Sequence, residues 1–314
     1  SANGNPSAGS YASASNVSDI FPATSQYTSA IAANFGQRAF AYTPPTGYKS
    51  LCTTNLPDPV IADGSTAFNV ALWSGTGSSQ TISLGFDPDM IWSKTRNHAV
   101  DHKLVDSVRG FTKQVEPNQT IAEYTNSTGV TGTSSTGFTI GTGNDWNNPS
   151  SRTYVGWAWD AGSSTVSNTD GSITSQVRTN LDAGFSIATY TGLSGNQSFG
   201  HGLNDAPKFI AIKNRSSSAN WFVMIDIGTT YYKYGHLNTT AAFADATAQP
   251  VSSTTVTLGN NNAWFGANGD NYVAYCWAPV EGYSAFGSYT GNGSADGPFV
   301  YTGFRPKFIL IKNA

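Results

Sequence analysis

Short apolar runs, broken by clusters of Gly, Asn, Asp, Ser and Thr, set the pattern of this chain. None has the length or the 3.6-residue period of an amphipathic helix. The clearest run is Pro207-Lys208-Phe209-Ile210-Ala211-Ile212-Lys213-Asn214. It returns as Pro306-Lys307-Phe308-Ile309-Leu310-Ile311-Lys312-Asn313 and, more worn, as Pro88-Asp89-Met90-Ile91-Trp92-Ser93-Lys94. Proline donates nothing to a sheet ladder, so it belongs at a strand's first residue or at an edge. The apolar residues behind it are bounded by turn formers and read as a buried strand. A second shared strand alternates large and small residues: Tyr154-Val155-Gly156-Trp157-Ala158-Trp159 and Tyr272-Val273-Ala274-Tyr275-Cys276-Trp277. A third set aligns Ala71-Leu72-Trp73-Ser74-Gly75 with Ala188-Thr189-Tyr190-Thr191-Gly192 and Gly287-Ser288-Tyr289-Thr290-Gly291.

Order and spacing agree. The proline-led strand recurs after 119 residues (88 to 207) and again after 99 (207 to 306), and the alternating strand after 118 (154 to 272). Self-similarity of this kind fixes an architecture. It predicts an all-β chain of tandem β-sandwich or jelly-roll modules with antiparallel sheets and little helix. The boundaries fall at 63–162 for module one, 163–282 for module two and 283–314 for the start of a third, after an N-terminal segment at 1–62. Within that segment Asn34 to Tyr42 alternates as a strand and stops at Thr43-Pro44-Pro45. One helical turn is expected at Leu104-Val105-Asp106-Ser107-Val108-Arg109, before Gly110. The third proline-led strand, Pro306 to Asn313, has no module after it in this sequence. Either the polypeptide continues past Ala314 or this strand completes a sheet in module two or in a neighbouring chain, because an unpaired apolar edge is a liability in water.

Composition narrows the partners. Charged residues are 11% of the 314, with a net charge of −3 and no Lys/Arg cluster. Nucleic acid and anionic membrane both need a positive patch, so neither is an expected partner. No apolar run reaches the ~20 residues of a membrane helix. Aromatics at 13% give ample surface to bury and exclude a disordered chain. Cys276 stands where the preceding module has Ala158 and fits a small buried space. Cys52 lies in a different unit, and a disulfide between the two is not expected.

Candidate chemistry is sparse. His98, Asp101 and His102 lie close in sequence, but on a loop this spacing shares no face, and a hydrogen-bonded loop is favoured over a metal site. Asn168-Thr169-Asp170-Gly171 and Asn268-Gly269-Asp270-Asn271 offer too few oxygen ligands for calcium and read as Asx turns. Asp106 and Arg109 suit a local ion pair. No nucleophile elbow, Ser/His/Asp pattern or phosphate loop is present. Glutamates are confined to Glu116, Glu123 and Glu281, with no repeated carboxylate pair for glycan hydrolysis. No catalytic residue, metal or cofactor is expected. Trp146 and Trp264 each precede the repeated tyrosine (Tyr154, Tyr272) by eight positions, within loops of Asn, Gly, Asp and Ser. Two readings stand: a ring on which a sugar stacks, with Asp145, Asn147, Asn262 and Asp270 reading its hydroxyls, or a tryptophan that caps the sandwich end. Trp157, Trp159, Trp277 and Tyr275 alternate with small residues and belong to the core.

Three stretches carry a resemblance: Ser167-Asn168-Thr169-Asp170-Gly171-Ser172-Ile173, the block from Ala183 to Gly192, and the segment from Tyr272 to Gly303. They resemble tandem modules of tail-fibre-like structural proteins of marine bacteriophages. Asn34 to Pro59 resembles the closing part of the SPRY-like (concanavalin-type) domain that often precedes such modules. The resemblance implies a virion or extracellular structural protein, a homo-oligomer in contact with other virion proteins and engaged in host attachment through surface glycans. The alternative is an architectural capsid-decoration or filament subunit. A polysaccharide-degrading enzyme is a minor third reading.

Overall fold

In the computed structural model, residues 60–147, 150–246, 250–259 and 262–312 are described. The N-terminal strand expected at Asn34 to Tyr42, the SPRY-like stretch and Cys52 lie outside them. The described chain is all-β, with antiparallel ladders and a single 3-10 turn at Gly64–Thr66. Asp63 caps that turn, its Oδ1 accepting the Ser65 N–H.

The first half carries β1 (Phe68–Ser74), β2 (Gln80–Ser83), β3 (Met90–Thr95), β4 (Lys103–Asp106), β5 (Lys113–Gln114), β6 (Tyr124–Thr125), β7 (Val130–Ser134), β8 (Gly137–Ile140) and β9 (Thr153–Trp159). Its main sheet has the order β1-β9-β3-β4, faced by a three-stranded sheet β2-β8-β7, while β5 and β6 form a two-stranded ribbon. The expected helical turn at 104–109 is not there. Residues 103–106 are strand β4, and a turn follows. Leu104 and Val105 face opposite layers of core, which the two-residue period of a strand allows.

The second half carries β10 (Thr165–Asn168), β11 (Ser175–Asn180), β12 (Phe185–Thr191), β13 (Gln197–Gly200), β14 (Phe209–Asn214), β15 (Phe222–Ile225), β16 (Lys233–His236), β17 (Ala244–Asp245), β18 (Thr255–Leu258) and β19 (Asn271–Trp277). Its main sheet is eight-stranded, β10-β11-β12-β19-β14-β15-β16-β17, faced by β13-β18. Within it β12-β19-β14-β15 repeats the order β1-β9-β3-β4, register included. Phe68 and Met90 both pair with Trp159, and Phe185 and Phe209 both pair with Trp277.

Alternation along these strands builds three layers of core. Tyr154 and Ala158 of β9 face the first half's interior with Trp73, Phe138 and Trp146. Tyr272, Ala274 and Cys276 of β19 face the second half's interior with Phe199 and Phe222. The opposite faces of the same strands, Trp159 in one and Val273 and Tyr275 in the other, meet in a shared layer with Phe68, Met90, Phe185 and Ile187. The central strands β9, β14 and β19 are therefore buried along most of both faces, which is why they lack polar alternation, whereas the edge strands β10 and β17 are exposed. Trp157 and Trp277 are half-buried and pack against the shared layer.

After β19 the chain runs from residue 278 to 312 without entering a ladder. The third proline-led stretch is thus not a strand of module two, contrary to that branch of the expectation. Phe308 lies against the shared layer, with ring centroids 5.5 Å from Trp159, 5.8 Å from Trp157 and 6.0 Å from Phe68. Ile309 and Ile311 stay 66% and 64% exposed.

Candidate functional site

The corner beside β4 and β5 holds a buried polar cluster. Lys103 opens β4, Glu116 follows β5, Tyr124 opens β6, and Asp145 and Trp146 lie in the turn between β8 and β9. Lys103 Nζ lies 2.5 Å from Glu116 Oε1 and 3.2 Å from Asp145 Oδ2. The Tyr124 hydroxyl donates to Glu116 Oε1 at 2.7 Å and accepts from Gln114 Nε2. Burial opposes charge on Lys103, but the Glu116 contact, with Tyr124 and Asp145 nearby, outweighs it and holds the ammonium above its ordinary pKa. Burial, aided by the bond to Glu116, pushes Tyr124 up to about 12.

Trp146 does not present a stacking face, which corrects the sugar-contact reading at this position. Its ring is fully buried, and its indole N–H donates to Gln114 Oε1 at 2.9 Å. A Cβ on Gly129 would stand 2.8 Å from that indole nitrogen, so a glycine is required where the β7 lead-in crosses it. Asn147 is also buried. Its Nδ2 donates to Gly141 O at 2.8 Å and its Oδ1 accepts the Thr76 N–H at 3.0 Å, which ties two loops together and leaves no amide for a ligand. Asp145 keeps partial exposure beside Lys103, with Arg152 at 3.9 Å.

By register, the same corner of the second half carries Phe222 for Lys103 and His236 for Glu116, and the sequence repeat places Trp264 for Trp146. Trp264 is half-buried and meets His236 edge to face at 4.4 Å. His236 Nε2 is buried without a hydrogen-bond partner, and burial, with Lys312 nearby, lowers the pKa of the ring. Asn262 Oδ1 accepts the Trp264 N–H at 2.8 Å and so holds the turn. Asp270 Oδ2 accepts Asn214 Nδ2 at 2.8 Å and Ser217 Oγ at 3.2 Å. The six sequence candidates therefore sit in two separate corners, and the polar side chains of Asn147, Asn262 and Asp270, with the Trp146 indole nitrogen, serve the fold.

A second polar group, which sequence reasoning met only in part, joins the halves. Arg109 Nε lies 2.5 Å from Asp106 Oδ2, the local pair expected from their spacing. The same guanidinium reaches Glu123 Oε2 at 2.9 Å and the Tyr275 hydroxyl at 3.1 Å, and that hydroxyl donates to Asp106 at 2.6 Å. Arg215 grips Glu123 from the second half at 2.8 and 3.1 Å. Lys213 Nζ donates to Thr120 O at 2.9 Å and Ala219 O at 2.7 Å, and burial brings its pKa down to about 8. Asp89, ion-paired with Arg178 at 2.7 Å, is raised to about 6 by burial. Tyr275 was legible as core, but nothing in its sequence neighbourhood signals a partner in the other half.

The histidine stretch divides among unrelated partners. His102 Nδ1 accepts the Trp92 indole N–H at 2.9 Å, Asp101 Oδ1 accepts Asn118 and Gln119 at 2.7 Å each, and His98 is exposed. Among the described residues no group of three or more His, Cys, Asp and Glu is placed to hold a metal. Asn168 Oδ1 accepts the Asp170 N–H at 3.0 Å, which closes an Asx turn. Among the described residues no helix is long and apolar enough to cross a membrane. No curated protein and no solved structure matches the chain. Residues 63–314, which contain both halves and the segment after β19, match the family described as a domain of unknown function, DUF7483, and the chain belongs to that family.

Proposed function

We propose that the chain is a structural component of a virion appendage, in which two β-halves act as one stiff element. The carrying observation is the shared layer: residues of both main sheets interdigitate there and are fixed laterally by the Arg109–Glu123–Arg215 and Asp89–Arg178 contacts. A body joined through its core transmits force and orientation, whereas halves on a linker swing independently. The resemblance of the repeated stretches to phage tail-fibre-like proteins supports the location, and contact with other virion proteins and with further copies of the chain follows from it. Immunogold labelling of purified particles tests the reading. Label along an appendage is the expected result, and absence of the chain from the particles contradicts it.

Attachment to host glycans rests within this proposal on the second corner, where Trp264 keeps part of its ring exposed beside His236. Binding of the chain to host-surface polysaccharide that is lost in Trp264→Ala would support it, and background binding by both would remove it.

A further inference from the structure

An asparagine followed by glycine can lose its side-chain amide without an enzyme. The next residue's backbone nitrogen attacks the side-chain carbonyl carbon, and glycine has no Cβ to crowd the approach. Three such pairs occur: Asn3-Gly4, which lies outside the described residues, Asn268-Gly269 and Asn292-Gly293. Asn268 and Asn292 are both exposed, and both following glycines have positive φ, 82° and 69°. Sequence, exposure and backbone conformation treat these two alike.

Hydrogen bonding separates them. The Gly269 N–H donates to Gly192 O at 2.9 Å, and the Gly192 N–H donates to Asp270 O at 2.9 Å. That exchange closes the end of β12 on the start of β19, so the Gly269 nitrogen is held in a main-chain bond that must break before it can attack. The Gly293 N–H has no acceptor among the described residues. Asn292 Oδ1 accepts the Ser294 N–H at 3.0 Å, and its Nδ2 donates to Asp296 O at 2.9 Å. This Asx turn folds the carboxamide over the intervening Gly293 peptide. It also places an N–H donor at Oδ1, where negative charge develops when the carbonyl carbon is attacked. Residues 285–312 enter no ladder, so the backbone there is free to adjust as a five-membered ring closes.

We propose that Asn292 is a site of spontaneous deamidation in the folded chain and that Asn268 is protected from it by the Gly269–Gly192 bond. Hydroxide from solvent takes the Gly293 amide proton, and the nitrogen forms a bond to Asn292 Cγ. The Cγ–Nδ2 bond then breaks, and the leaving nitrogen takes a proton from water and departs as ammonia. Water opens the succinimide at either carbonyl, leaving aspartate or isoaspartate. Both products put a carboxylate in place of a neutral amide and remove the Nδ2 bond to Asp296, and the net charge goes from −3 to −4. Isoaspartate also lengthens the main chain by one methylene. The exposed segment after β19 thus changes charge and path with age, while the two β-halves stay as they are. This proposal stands whether or not the chain belongs to a particle.

The test incubates the purified chain at mildly alkaline pH, folded and in concentrated urea, and follows the peptides containing Asn268 and Asn292 by mass spectrometry. In the folded chain Asn292 should convert at least about tenfold faster than Asn268, because only Asn268 waits for a local opening. In urea the two rates should converge. Gly293→Ala should slow conversion at position 292 at least about tenfold, with circular dichroism unchanged. Three results would overturn the proposal: no conversion of Asn292 in the folded chain, conversion of Asn268 at the same rate or faster there, or a difference between the two that persists undiminished in urea.

Discussion

The same corner of the fold is built twice from opposite materials. In the first half, Lys103, Glu116, Tyr124 and Gln114 form a buried hydrogen-bonded set that locks Trp146 by its indole nitrogen. In the second, Phe222 replaces the lysine, packing 4.5 Å from Phe265, and Trp264 leans on His236 with no such bond. A strand register that is identical around both corners shows that the backbone does not require the charges. The difference teaches that the polar set fixes one geometry for one tryptophan and buries it fully, whereas packing on His236 leaves the other tryptophan only partly buried.

The sharpest break in this comparison is truncation of each tryptophan. Trp146→Ala removes a fully buried ring and strands Gln114, so it should cost about 3–5 kcal/mol in urea unfolding. Trp264→Ala should cost less than half of that. Equal losses would mean that the corners are energetically alike. Next, Glu116→Gln leaves the Lys103 ammonium buried with only the half-exposed Asp145, a loss of about 3 kcal/mol. Converting both residues, Lys103→Met with Glu116→Leu, imports the apolar solution and should recover most of it.

A third test moves to the junction. Lys213 has a depressed pKa, so the unfolded chain holds its proton to higher pH than the folded chain does. The sign is that stability is reduced below about 8 and rises as pH climbs from about 8 toward the unfolded value. The gain is on the order of 3 kcal/mol, and Lys213→Met should lose this rise relative to wild type in pH-dependent denaturation. The smallest effect belongs to Asp145→Asn. The carboxylate is 36% exposed, and its pair with Lys103 is screened, so the loss should stay under about 1 kcal/mol.

The architecture was legible because its signals are local. Pro207 marked a strand start and Tyr272 to Trp277 alternated large and small, so the all-β character followed from period and punctuation, although the same pattern at Pro306 to Lys312 forms no strand. Residues 104–109 misled because apolar positions at helical spacing also suit a short strand and turn, and the decision fell to two facing layers of core. The site was less legible. Trp146 sits among polar residues and looks exposed, yet Gln114, 32 positions away in sequence, supplies its partner. The clasp at Tyr275 joins Asp106 across 169 positions, and no one-dimensional pattern carries such a pairing.

That the two halves form a single body can be tested by amide hydrogen exchange across a urea series, comparing peptides from Tyr154–Trp159 with those from Tyr272–Trp277. A common core predicts that both central strands exchange through one opening, with equal free energies to within about 1 kcal/mol and the same dependence on urea. If one half opened several kcal/mol below the other, with a smaller urea dependence, the halves would be separate domains and the stiff element proposed for them would not exist.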